Sequence, residues 1–257
     1  TTLFRSNLYN TLRQAERNKD LEHVCPSWIL LDEANLSPIE YYWSSFLTQT
    51  DSENNRQVFF SNDEGAKSLS IPESVRFLAT VNTDITTEEL TPRVLDRVPI
   101  IQIDYDPDYE YEPNSETDSY ECEPISSTNF LKVFAEGNAE VDRKYADKFK
   151  LIKSILGKSK TASPIIISPR KQNAVFEYIK VCAPLLKDIN PDSNEWMALD
   201  FAVAQYVLPL IKGHGDDFKN ILLELKSNTI ELSRTSQVLD KIILSGQRNH
   251  DVYSFVA

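Results

Sequence analysis

The chain has 257 residues, 41% hydrophobic and 26% charged, which is enough for one large domain or two medium ones. Six glycines against 13 prolines exclude a collagen or a glycine-rich linker, and three cysteines exclude a disulfide framework. Nine of the twelve net negative charges fall in residues 104–123, which hold no Lys or Arg; a general nucleic-acid binder would want the opposite sign.

The chain opens on Thr1 and reads as a piece of something longer. Residues 1–22 are polar with a helical period and have no apolar h-region, so no signal peptide is expected. No run approaches the roughly 18 apolar residues of a membrane span, so no membrane partner is expected. Cys25, Cys122 and Cys182 read as reduced thiols, which points to the cytoplasm.

In chain order, Leu8, Leu12 and Ala15 share one face and predict a helix over 3–18. Trp28-Ile29-Leu30-Leu31 is an unbroken apolar run. It predicts a strand covered on both faces, as in a parallel sheet, ending at Asp32-Glu33. Ser37-Pro38-Ile39-Glu40 reads as a cap, a proline at the first helical position and a capping box. Ile39, Tyr42, Trp43, Phe46 and Leu47 then give the helix a broad apolar face. Residues 57–60 and 67–71 flank Asn62-Asp63-Glu64-Gly65 and predict a hairpin. A second buried strand is expected over 76–81, ending at Asn82-Thr83-Asp84, and a third over 98–103.

The acidic tract reads as a solvated linker. Beyond it helices are expected near 129–136, 144–156, 169–182, 195–211, 216–225 and 236–245, with Ser168 capping and Pro169 starting the third. Trp196, Leu199, Val203, Tyr206, Val207 and Leu210 form a core stripe. The expected fold class is α/β: a parallel sheet with flanking helices over 1–103, a linker over 104–126 and a helical domain over 127–257.

Four short elements carry chemistry. Asp32 and Glu33 end a buried strand, where open α/β sheets bind ligands; such a pair can hold Mg²⁺ and activate a water for phosphoryl transfer. Asn82 ends the neighbouring strand and can bond that same water. Arg93 and Arg97 lie four apart on a short helix, and Arg170 starts a helix in the second half; each is a candidate partner for a transferring phosphoryl group. Taken singly, each element also has an ordinary reading, as a polar strand exit, a turn former or a surface charge. His23, His214 and His250 have no metal-ligand spacing.

In their order and spacing these elements resemble Walker B, sensor 1, the arginine finger and sensor 2 of the AAA+ ATPases. The closest resemblance is to the McrB-like branch, the NTP-driven motor of modified-cytosine restriction systems. It rests on Leu30-Leu31-Asp32-Glu33-Ala34-Asn35-Leu36, Val81-Asn82-Thr83-Asp84 and Thr91-Pro92-Arg93-Val94-Leu95-Asp96-Arg97. Ala204-Gln205-Tyr206-Val207-Leu208-Pro209-Leu210 and the C-terminal Gly246 to Phe255 segment add to it. The resemblance implies Asp32 holding Mg²⁺ through water, Glu33 as base, Asn82 as water-positioning amide, Arg97 (with Arg93) reaching a neighbouring subunit, and Arg170 sensing nucleotide from a helical lid. It also implies ATP or GTP as substrate, a homo-oligomeric ring, a nuclease subunit and DNA.

Two departures stand out. The branch reads Asn-Thr-Ala-Asp-Arg-Ser at sensor 1, whereas Asn82-Thr83 is followed here by Asp84-Ile85-Thr86-Thr87, so the nucleotide preference stays open. No phosphate loop is present: Gly157-Lys158-Ser159 is the sole Gly-Lys-Ser, but Ile152 stands where the first glycine is required. The chain alone is therefore expected to be inactive. A non-hydrolysing AAA+-derived interaction module is the alternative.

Overall fold

The computed structural model describes residues 2–18, 25–49, 56–62, 65–83, 87–103, 125–135, 140–158, 164–189 and 194–255. The acidic tract, Asp84, Cys122 and the hairpin tip at Asp63-Glu64 lie outside them. The fold is mixed α/β, with a small parallel sheet in the first part and mostly helices after it. Two apolar clusters organise it, one drawn from Leu8 to Val98 and one from Val141 to Phe255.

The first cluster gathers under a parallel pair. Strand β1 (Ser27–Leu31) runs beside β4 (Val75–Ala79), with Ser27 opposite Val75 and Leu31 opposite Ala79. Helix α2 (Ile39–Gln49) covers one face: Trp43 stacks on Phe46 at 3.9 Å and meets the edge of Phe77 at 5.2 Å. Helix α1 (Thr2–Asn18) adds Leu8 and Leu12, and its Glu16 accepts the Ser70 N–H at 2.8 Å. That bond ties it to the antiparallel hairpin of β2 (Gln57–Asn62) and β3 (Gly65–Ser70).

Three local expectations within residues 1–103 need correction. Strand β1 is buried on one face only: Trp28 and Leu30 are 56% and 60% exposed, as is Leu78 of β4 at 49%. Their face meets helix α4 (Ser127–Ala135) through Phe130, which contacts Trp28 edge-on and lies under Arg76. An apolar run states that a strand can be covered, not that a covering layer is there. Next, Glu40 closes no capping box on α2; it accepts a hydrogen bond from Thr91, in the loop before helix α3 (Pro92–Leu95).

The third correction concerns residues 98–103, which form no strand. Their alternate backbone groups are taken by the C-terminal helices. The Ile100 N–H donates to Gln205 O at 2.9 Å, Lys171 donates to Val98 O and Arg234 to Gln102 O. Ile101 and Ile103 stay 70% and 90% exposed. The β-branched run has strand propensity, and its tertiary partners override it.

The helical body begins with α5 (Arg143–Leu156) and α6 (Pro169–Ile189), the latter capped by Ser168 Oγ, which accepts from Lys171 N at 3.1 Å. The helix expected over 195–211 breaks into α7 (Met197–Ala202), a π-helical turn over 203–207 and a 3₁₀ turn over 208–210. Pro209 explains the break. It has no N–H to give to Gln205 O four residues back, and that freed carbonyl is the one Ile100 uses. Helices α8 (Gly215–Ser227) and α9 (Ser233–Arg248) complete the body, with a short antiparallel pair, β5 (Lys212–His214) and β6 (Val252–Ser254). The buried Asp200 carboxylate accepts the Arg234 and Thr235 N–H groups at 2.8 and 2.7 Å, capping α9 from α7.

Candidate functional site

The carboxyl ends of β1 and β4 lie side by side because the strands are parallel and in register. That places Asp32 and Glu33 next to Thr80. The Thr80 hydroxyl donates to Asp32 Oδ1 at 2.6 Å and accepts the Glu33 N–H at 2.8 Å. Glu33 has a φ of 50°, left-handed backbone that costs a non-glycine residue about 1–2 kcal/mol. Both acidic side chains are exposed at the strand tip.

Asn82 joins this end through its backbone. The buried Asn35 side chain donates to Asn82 O at 2.8 Å and to Glu88 O at 3.0 Å, and accepts from Asn82 N at 3.1 Å. With its donors and acceptor all used, Asn35 pins the segment after β4 against the turn after β1. The Asn82 side chain remains exposed beside the carboxylate pair's strand end. Tyr42 donates from α2 to Ala34 O, holding the same turn from beneath.

The arginines form a second group. Helix α3 is a single turn that carries Arg93; Arg97 lies just past it and donates to Arg93 O at 3.1 Å. Val94 on this turn is buried in the first apolar cluster. Asp96 faces α6, accepting from Ser168 Oγ at 2.6 Å and from Arg170 at 3.1 Å. Arg170 is therefore engaged with the arginine-bearing turn. The hydrogen bonds named for this group run to α2, through Thr91 and Glu40, and to α6, and none of these joins it to Asp32 or Glu33.

Lys171, next along α6, is 1% exposed. Its ammonium donates to Leu95 O and to Val98 O at 3.1 Å and sits over the Tyr206 ring at 5.4 Å. Burial pushes its pKa down to about 8, with the nearby Arg170 adding to the drop and the Asp96 carboxylate opposing it. The turn that presents Arg93 and Arg97 is thus held from its carboxyl side by a buried cation.

Asp32 and Glu33 supply hard oxygen atoms of the kind Mg²⁺ takes. Among the described residues no group of three or more His, Cys, Asp or Glu gathers into a metal cage. A cation at Asp32 would draw most of its ligands from water or from a phosphate, and an exposed pair at a strand end fits that. Thr80, Asn35 and Lys171 are the residues sequence reasoning missed. Each is polar and acts through a partner 47 to 76 positions away. The one sequence signal was a polar Thr80 interrupting an apolar run just before Asn82.

No helix among the described residues is long and apolar enough to cross a membrane. A search of curated proteins and of solved structures finds no match. A family profile described as a domain of unknown function (DUF8727) matches residues 119–252, from just before α4 to the start of β6. It includes Arg170 and Lys171 and leaves Asp32, Glu33 and Asn82 outside. Since the match spans just over half of the 257 residues, the chain belongs to the DUF8727 family.

Proposed function

We propose that this chain is the C-terminal part of a McrB-like AAA+ motor that hydrolyses ATP or GTP in a homo-oligomeric ring. Residues 1–103 would be the end of its α/β core and residues 127–257 its helical lid. The observation that carries this reading is the meeting of Asp32, Glu33 and the Asn82 segment at the ends of two adjacent parallel strands. In this reading Asp32 holds the substrate's Mg²⁺ through water. Bound there, Mg²⁺ would neutralise charge that builds on the phosphates. The Glu33 carboxylate takes a proton from the attacking water, and the Asn82 amide orients that water. Arg97, with Arg93 nearby, serves the site of the neighbouring subunit, and Arg170 reads the nucleotide from the lid. A nuclease subunit and DNA are the partners the resemblance implies.

The sheet offers further support. Strand β4 pairs with β1 alone among the described strands, which leaves its other edge without a partner strand among them, and Leu30 and Leu78 are largely exposed. The resemblance puts the strand leading to the phosphate loop beside β4. None of the 257 residues supplies that loop, so in this reading it comes from outside them. The Asp96–Arg170 pair favours a second reading, a module that binds partners without turnover, because it commits Arg170 to a structural contact.

Glu33→Gln in the full-length protein separates the two. The motor reading expects nucleotide binding to persist while turnover falls at least about a hundredfold, the scale of losing a positioned base. Unchanged turnover would remove Glu33 from its role.

A further inference from the structure

The structure assigns Thr80 as the positioning residue of the Asp32-Glu33 pair, an inference that rests on the motor reading above. Thr80 makes four hydrogen bonds to four successive residues. Its N–H donates to Leu31 O at 2.9 Å and its carbonyl accepts from Ala34 N at 2.8 Å. Its hydroxyl accepts from Glu33 N at 2.8 Å and donates to Asp32 Oδ1 at 2.6 Å.

The direction of the last two bonds is forced. A hydroxyl has one proton and a backbone amide can only donate, so the proton of Thr80 is left for Asp32. One oxygen atom therefore fixes the rotamer of Asp32 and the backbone of Glu33 together. It also explains why Glu33 keeps a φ of 50° without being glycine: the bonds on either side over-determine it. A left-handed residue at a strand end turns its side chain away from the line the strand would have given it. Glu33 is thus aimed by Thr80, from the neighbouring strand, and not by β1 alone.

The test uses Thr80→Val, which keeps the shape and loses the hydroxyl, and Thr80→Ser, which keeps the hydroxyl and loses the methyl. In the 257-residue chain, exchange of the Glu33 amide proton is read by NMR. It should quicken about tenfold or more in Thr80→Val, the size of one lost hydrogen bond, and stay near wild type in Thr80→Ser. In the full-length assembly, Thr80→Val should lower kcat at least about tenfold with nucleotide Kd unchanged, and Thr80→Ser should restore it. Unchanged Glu33 exchange in Thr80→Val would overturn the inference, as would equal losses in the Val and Ser variants. Failure of the motor reading shows up separately, as turnover insensitive to Glu33→Gln, while amide exchange still reports whether Thr80 holds Glu33.

Discussion

Lys171→Met tests the buried cation that holds the arginine-bearing turn. The variant keeps most of the side-chain volume, removes a charge from a site 1% exposed, and strips Leu95 O and Val98 O of their shared donor. At one pH these effects oppose each other, because lost bonds destabilise and relief of a buried charge stabilises. Their pH dependence separates them. The folded pKa of about 8 lies below the ordinary lysine value of 10.5. Between those values the unfolded chain still holds the proton that the folded chain has released, so raising the pH through that window favours the wild-type fold. The burden of the charge is fully present below pH about 8 and gone above about 10.5. At about 1.4 kcal/mol per pH unit the lowering corresponds to roughly 3–4 kcal/mol, and because pH 10 is still below 10.5 only part of it, about 2 kcal/mol, is released between pH 7 and pH 10. Urea unfolding of both proteins at pH 7 and pH 10 measures it. All other titrating groups are common to the two, so their difference isolates Lys171 and its neighbours Asp96 and Arg170. The wild type should gain about 2 kcal/mol on the variant over that range. Parallel profiles, agreeing within about 0.5 kcal/mol, would refute the reasoning.

Two further predictions concern the chain as it stands. Asp200→Ala leaves two N–H groups at the start of α9 without their acceptor, so unfolding free energy should fall by about 2–4 kcal/mol, read as a lower urea midpoint; a loss under about 0.5 kcal/mol would contradict the cap. The 257 residues contain no glycine-rich loop with its lysine to cradle β- and γ-phosphates, so calorimetric titration with ATP or GTP should show no tight binding. Micromolar affinity would reveal a site of another kind.

The parts legible in the sequence are those with local causes. Strands β1 and β4, helix α2 and the hairpin follow from apolar runs, period and turn residues, and the polar tips Asp32-Glu33 and Asn82 were read from the same pattern. The parts that were not legible depend on distant partners. Residues 98–103 look like a strand, and only the carbonyl released by Pro209 explains why they lie against the helical body instead. Lys171 and Asp200 are charged residues within helical patterns, where solvated positions are the usual expectation; both are buried because they serve backbone groups elsewhere in the chain. Thr80 and Asn35 belong to the same class. Arg170 was legible as a helix-start cation, but its pairing with Asp96 arises from the packing of α6 on α3.

Mixed assemblies of the full-length protein test the central claim most directly. Glu33→Gln removes the base from a subunit's own site, and Arg97→Ala removes the charge it offers to its neighbour. Each variant alone should be nearly inactive while still binding nucleotide, since an arginine finger is worth roughly 10³–10⁵ in rate and a surface ion pair about 0–1 kcal/mol. In rings containing both, an Arg97→Ala subunit beside a Glu33→Gln subunit has its own Glu33 and its neighbour's Arg97, so turnover should return in part. Wild-type rates in Arg97→Ala assemblies, or no recovery in rings shown to be mixed, would contradict the account.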